Sequence, residues 1–168
     1  EAGSSEPVSP LAEVLAVAAH ADGSRHETIR VDVGGTSQPV TPANVDSPSR
    51  YVQMDGRAVY SFAVSAFAES LTEICAKAGI SPEQLGHVVP HQANARIIEE
   101  GMAALGLPLE LASMNIDRFG NTSAASIPLL LHQEYSARRF TPDALVGLCA
   151  FGTGLTWASG LLRWKGVA

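Results

Sequence analysis

Two cysteines in 168 residues, Cys75 and Cys149, are too few for a disulfide framework and suit a reducing cytosol. No apolar run approaches the ~20 residues that a membrane-spanning helix needs. Positive charge is scarce as well. Eleven lysines and arginines stand against 17 aspartates and glutamates, a net charge of −6 with a pI near 5.3, which speaks against non-specific nucleic-acid binding. No G-x-G-x-x-G, Walker A or G-x-S-x-G motif occurs. His20, His26, His87 and His132 fall at no ligand spacing with each other or with a cysteine, so no metal site is expected. The opening, Glu1 to Pro10, is a polar tail without an initiator Met and without the basic and apolar regions of a signal peptide.

What is present is an ordinary globular balance, 46% hydrophobic and 17% charged, and residues 11–168 are enough for one domain with a real core. Residues 11–21 (LAEVLAVAAHA) read as a buried strand, ended by Asp22-Gly23-Ser24. Residues 34–50, with two glycines and three prolines, read as a long loop. Phe67, Leu71, Ile74, Cys75 and Ala78 recur at helical spacing, which predicts a helix over 57–78 closed by Gly79. Ser81-Pro82-Glu83-Gln84 has the composition of a capped helix start.

His87 to Pro90 reads as a short buried strand, 94–105 as a helix through Ile97, Ile98 and Met102, and 111–116 as another strand. A helix is expected from Asn121 to about Arg139, with Pro128 near its first turn. Leu145–Phe151 and Leu155–Trp164 are apolar runs joined by Gly152-Thr153-Gly154, an antiparallel hairpin. Strands otherwise alternate with helices, which gives an α/β class with a mixed sheet and flanking helices.

Two polar residues stand out. His91, in VVPHQAN, and Asn121, in GNTSAAS, each end an apolar, strand-like run just before a helix-like stretch. α/β proteins keep their chemistry at such sheet rims. The start of the following helix favours a neutral His91 ring through its dipole. A neutral imidazole and a carboxamide can both donate hydrogen bonds to an oxygen that is gaining negative charge. Gly152-Thr153-Gly154 can aim a backbone N–H at such an oxygen. Cys75 on an apolar helix face and Cys149 within a strand run lack electropositive neighbours, so both read as inert core thiols.

In order, the chain contains HADGS (20–24), YVQMDGRAVYSFAV (51–64), VVPHQANARII (88–98), DRFGNTSAASIPLLL (117–131) and AFGTGLTWASGLLRW (150–164). This series resembles the C-terminal half of the β-ketoacyl-acyl-carrier-protein synthase III family of the thiolase superfamily, from about residue 11 onward. The resemblance implies half of a five-layer αβαβα fold and two members of a Cys-His-Asn triad, His91 and Asn121. It places the nucleophilic cysteine on an N-terminal half, matched by neither Cys75 nor Cys149. Thr153 would supply an oxyanion-hole N–H, where relatives often carry glycine. Arg96, Arg57 and Ala93 would contact the carrier protein or coenzyme A, and Arg57 stands where some relatives have Asn.

The implied reaction condenses an acyl thioester from acyl-CoA with malonyl-acyl-carrier-protein, in fatty-acid or polyketide initiation, without metal or redox cofactor. The implied partners are the N-terminal half, as the same chain or a separate subunit, the acyl carrier protein and a second complete unit in a dimer, in the cytoplasm, with neither nucleic acid nor membrane. Two other readings stand beside it: an acyltransferase of the same fold that forms esters or amides without decarboxylation, and a non-catalytic partner subunit. Asn at 121, rather than a carboxylate, leans toward condensation, and the intact pair argues against the non-catalytic reading.

Overall fold

The computed structural model of the protein describes residues 10–166; most of the polar tail expected over 1–10, and the last two residues, lie outside it. One mixed sheet organises the chain. Its strands are β1 (Ala12–Ala21), β4 (His87–Pro90), β5 (Leu145–Gly152) and β6 (Thr156–Trp164), in the order β1-β6-β5-β4. A separate two-stranded ribbon pairs β2 (Ile29–Arg30) with β3 (Gln53–Met54). β4 runs parallel to β5, whereas β5–β6 and β6–β1 are antiparallel. The hairpin and the mixed sheet are as the sequence predicts.

Strand residues alternate between two buried layers. On one face lie α1 (Gly56–Lys77) and α2 (Ala95–Ala104). The periodic residues Phe67, Leu71, Ile74 and Cys75 of α1 pack there with Ile98 and Met102 of α2 against Val88, Cys149 and Leu161. On the other face α4 (Ser126–Ser136) sets Leu130 against Val89, Val146, Phe140 and Trp164. Val88 and Val89 are both fully buried, on opposite faces, so β4 is covered on both sides as its apolar sequence requires. Burying each such large side chain is worth ~1.5–3 kcal/mol.

α1 starts at the Asp55 cap, whose carboxylate accepts from the Arg57 and Ala58 amides at 3.1 and 3.0 Å. α2 lies so close to α1 that a Cβ on Gly101 would stand 2.5 Å from the Phe67 ring, so only glycine fits there. The Ser81 start forms as a 3-10 turn, Pro82–Gln84, with the Ser81 amide donating to Gln84 Oε1 at 3.0 Å.

Three expectations change. Residues 111–116 are not a strand. They comprise the end of a 3-10 turn (Leu109–Leu111), a single bridge from Ala112 to Val88, and the start of the one-turn helix α3 (Ile116–Phe119). The reason is that Asn115 is engaged by a buried side chain, described below, instead of by a neighbouring strand. β1 is an edge strand, not a buried one. Among the described residues it pairs only with β6, and Ala18 alone of its own residues is buried. The helix after Asn121 is shorter than expected: a 3-10 turn, Ser123–Ala125, precedes α4, which ends at Ser136. Pro128 falls in the first turn of α4, where its missing N–H costs nothing.

α4 buries only Ser126, Leu130 and Glu134, one narrow stripe at four-residue spacing. Leu129 is 38% exposed, and Ala124, Ala125 and Pro128 also lie on the surface. On the same side of the sheet, Val14 and Val17 of β1 are 62% and 64% exposed. They stand beside Leu162 and Gly160 of β6, and Leu162 belongs to the α4-side layer. Leu129 of α4 and the two valines of β1 thus leave large apolar side chains exposed on this side of the sheet.

Candidate active site

His91 is the first residue after β4. Its amide donates to the Cys149 carbonyl at 2.8 Å, which prolongs the parallel pairing by one step and fixes the backbone at the C-terminal edge of β4 and β5. That edge is where parallel α/β sheets present their ligand sites. Phe151, near the end of β5, sets its ring edge-to-face against the imidazole, with centroids 5.6 Å apart. Burial pushes the His91 pKa below its ordinary value, so the ring is neutral near pH 7. The direction is the one expected from the sequence, which reached it through the α2 dipole; here burial is the cause.

Nδ1 of His91 lies 2.7 Å from Ser126 Oγ, at the first position of α4. The Ser126 hydroxyl is also 2.8 Å from the Ser123 carbonyl. The Ser123 amide donates to Asn121 Oδ1 at 2.8 Å. The two residues singled out by the sequence are therefore joined through Ser126 and Ser123. Asn121 follows α3 and Gly120, not a strand as expected, and it caps neither the 3-10 turn nor α4. Its side chain closes a local turn onto Ser123. That bond assigns Oδ1 as the acceptor and leaves the Nδ2 amino group as the donor end of the carboxamide. Ser123 holds φ at +54°, a left-handed conformation costing about 1 kcal/mol or more outside glycine, a kind of strain that collects at functional sites.

A second polar network supports this edge, and sequence reasoning missed it. Gln92 is fully buried. Its Nε2 donates to the Pro90 carbonyl at 3.0 Å and the Ser113 carbonyl at 3.3 Å, and its Oε1 accepts from the Asn115 amide at 3.0 Å. Asn115 Nδ2 in turn donates to Gln133 Oε1 of α4 at 2.8 Å. Gln92 thus ties the residue next to His91 to the segment before Asn121, and that segment to α4. Gln92 sits in no periodic pattern; only its position beside His91 could have pointed to it.

Thr153 lies in the exposed turn between β5 and β6, where its carbonyl accepts from Thr156 Oγ1 at 2.9 Å. Gly154 has φ of +140°, and a Cβ there would stand 2.6 Å from Thr156 Cγ2, so the turn requires glycine. Leu155 and Asp22 exchange both backbone hydrogen bonds at 2.8 Å, which anchors the turn to the end of β1. Ala93 is half-buried between β4 and α2. Arg57 and Arg96 are exposed in the first turns of α1 and α2, their amides bound by Asp55 and Asn94 at 3.1 and 2.9 Å. Tyr60, one turn after Arg57, faces α2. Its phenol O–H donating to the Glu100 carboxylate holds the Tyr60 pKa above the ordinary range, against the opposing pull of Arg96. Cys75 and Cys149 are both buried, and burial pushes both thiols up, the opposite of what a nucleophile needs.

This architecture recurs in solved structures of condensing enzymes. Over 95% of the chain and 49% of the other, it superimposes on 3-oxoacyl-[acyl-carrier-protein] synthase III from Thermus thermophilus with a TM-score of 0.81 and 38% identity. The priming β-ketosynthase of the R1128 polyketide biosynthetic pathway gives a TM-score of 0.78 at 28% identity, over 92% of the chain and 46% of the other. The fold is the C-terminal half of the thiolase-like architecture of that class. In sequence, the description 3-oxoacyl-[acyl-carrier-protein (ACP)] synthase III C terminal matches residues 75–164. The chain is 43% identical over 161 residues to β-ketoacyl-[acyl-carrier-protein] synthase III of Roseiflexus sp. (strain RS-1), covering 96% of itself and 48% of that relative. It belongs to the 3-oxoacyl-acyl-carrier-protein synthase III family, as a C-terminal domain, and spans about half the length of the curated relatives it matches.

Proposed function

We propose that this chain is the C-terminal half of a decarboxylative ketosynthase III, acting with an N-terminal half that carries the nucleophilic cysteine. In this reading the partner's cysteine thiolate attacks an acyl thioester from acyl-CoA, and the acyl group stays on sulfur as coenzyme A leaves. Malonyl-acyl-carrier-protein then loses CO₂. The electrons of the broken C–C bond flow into the thioester carbonyl, giving an enolate. His91 Nε2–H and Asn121 Nδ2–H donate to that oxygen. The enolate carbon attacks the acyl-cysteine carbonyl, whose oxyanion is met by the Thr153 N–H, and the thiolate leaves. Atoms and electrons balance without a metal or redox cofactor.

Arg96 and Arg57 are the proposed contacts for the acidic carrier protein or the phosphates of coenzyme A, with Ala93 beside the substrate arm. The bare side of α4 with Val14 and Val17 is the face that the N-terminal half covers, and two complete units form the dimer. The cytoplasm is the proposed compartment; among the described residues no helix is long and apolar enough to cross a membrane.

The observation that carries the reading is the linked pair at the sheet edge: a neutral His91 ring held at Nδ1 by Ser126, and an Asn121 carboxamide whose oxygen is already engaged by Ser123. These bonds leave Nε2 of the ring and Nδ2 of the carboxamide unengaged, and the reading assigns both as donors to one oxyanion. The test separates the half-reactions in the complete two-half enzyme. His91→Ala or Asn121→Ala should slow malonyl decarboxylation by about 10²–10³, the usual cost of one oxyanion donor, while acylation of the cysteine is affected far less. Equal losses in both half-reactions would refute this division of roles.

A further inference from the structure

The two proposed donors are not held alike. His91 is fixed by the sheet: its amide donates to the Cys149 carbonyl, and Phe151 meets its ring edge-on. Asn121 lies on a surface segment. Asp117 to Asn121 are all exposed, and among the described residues the hydrogen bonds of Ile116 to Thr122 stay within residues 115–125. Neither its own burial nor a bond to the sheet sets where Asn121 sits. Its place is set by the two ends of the segment. One end is Ser123 with Ser126, whose Oγ lies 2.7 Å from His91 Nδ1. The other is Asn115, 4% exposed.

Gln92 holds that second end. Its buried carboxamide accepts from the Asn115 amide at 3.0 Å and donates to the Pro90 and Ser113 carbonyls at 3.0 and 3.3 Å. Carbonyls only accept and a backbone amide only donates, so these partners allow one orientation of the carboxamide. Pro90 directly precedes His91. One side chain therefore grips the backbone beside the first donor and the start of the segment that carries the second. Asn115 Nδ2 extends the tie to Gln133 Oε1 at 2.8 Å, on the same helix as Ser126.

We propose that Gln92 is a positioning residue for the condensation: through Asn115 it sets the distance from Asn121 to His91, so that both reach one oxyanion. An oxyanion donor acts by its placement, and a shift of ~1 Å can cost about 10²-fold. A buried side chain bonded to three backbone groups has the rigidity such a support needs. The inference rests on the enolate-donor role of Asn121.

The test uses the complete two-half enzyme. Malonyl decarboxylation, cysteine acylation and the urea midpoint are measured for the parent, for Gln92→Leu, Asn121→Ala and His91→Ala, and for Gln92→Leu combined with each of the other two. Gln92→Leu should lower the decarboxylation kcat about ten-fold or more, by less than Asn121→Ala does, and leave acylation per folded enzyme nearly unchanged. Its effect should vanish in the Asn121→Ala background and persist in the His91→Ala background, because it acts through Asn121. Equal losses in the two half-reactions, no loss at all, or a full further loss beside Asn121→Ala would overturn the assignment. If Gln92→Leu does not fold, Gln133→Leu decides, since it cuts only the link from Asn115 to α4. It should slow decarboxylation about five-fold, roughly what one neutral hydrogen bond supplies, with the same dependence on Asn121; an unchanged rate would overturn the assignment. An unimpaired Asn121→Ala enzyme would instead remove the donor role itself, so the single variant tells the two failures apart.

Discussion

Replacing Gln92 with leucine removes a side chain that is fully buried and hydrogen-bonded to three backbone groups. Leucine is similar in volume, so the cavity term is small and the polar term dominates. Two of the bonds are at 3.0 Å and one, to Ser113, is longer at 3.3 Å. Each good bond contributes about 1 kcal/mol net, and an orphaned buried donor costs ~1–3 kcal/mol. Asn115 is 4% exposed, so water does not readily replace its lost acceptor. The sum is about 3 kcal/mol. A urea titration should show this as a lower midpoint with an unchanged slope. Gln92→Glu sharpens the argument. It keeps the acceptor for Asn115 but turns a carboxylate oxygen toward the Pro90 and Ser113 carbonyls. Its destabilisation should match or exceed that of leucine at neutral pH and ease as the pH falls and the carboxyl protonates. A loss under about 0.5 kcal/mol for Gln92→Leu, within the range of ordinary surface changes, would refute the reasoning.

Further outcomes follow from single contacts. Gly101→Ala drives a Cβ to 2.5 Å from the Phe67 ring; an overpacking cost of ~1–3 kcal/mol, less ~1 for alanine's better helix propensity, should leave a net loss of about 1 kcal/mol, seen as a Tm drop of ~2–4 °C and absent if α1 and α2 are not in contact. Gly154→Ala meets Thr156 Cγ2 at 2.6 Å with φ at +140°, and should cost ~1–3 kcal/mol in stability and slow condensation by moving the Thr153 turn; an unchanged urea midpoint would contradict it. Burial lowers both His87 and His91 below the ordinary 6.5. Both rings are neutral and fully compatible with the fold above that value, and the unfolded chain binds their protons first on acidification, so stability should fall as pH drops from about 6.5 toward 5. A flat or rising urea midpoint across that window would contradict this.

The elements that repeat with a period were legible in the sequence. Phe67, Leu71, Ile74 and Cys75 announce α1, and the apolar runs around Gly152-Thr153-Gly154 announce the hairpin, because side-chain burial in those elements follows the backbone period. His91 was legible for another reason: a polar residue closes an apolar strand just before a helix cap. What escaped was set by tertiary contacts. Residues 111–116 carry strand-like apolar residues, but Asn115 takes its partner from the Gln92 side chain, and no local pattern encodes a bond across 23 residues. β1 reads as buried from composition, yet Val14 and Val17 find no cover in this chain. The Ser123 and Ser126 linkage was hidden in a run of small residues, where the sequence gives space but not direction.

The central claim is that this chain holds the donors and a partner half holds the nucleophile. Labelling the complete enzyme with a radioactive acyl-CoA, without malonyl thioester, and mapping the acylated peptide tests it most directly. The account predicts the label on one cysteine outside residues 1–168, with Cys75 and Cys149 unlabelled, since both thiols are buried and pushed toward the protonated form. Acyl label on Cys75 or Cys149 would contradict it.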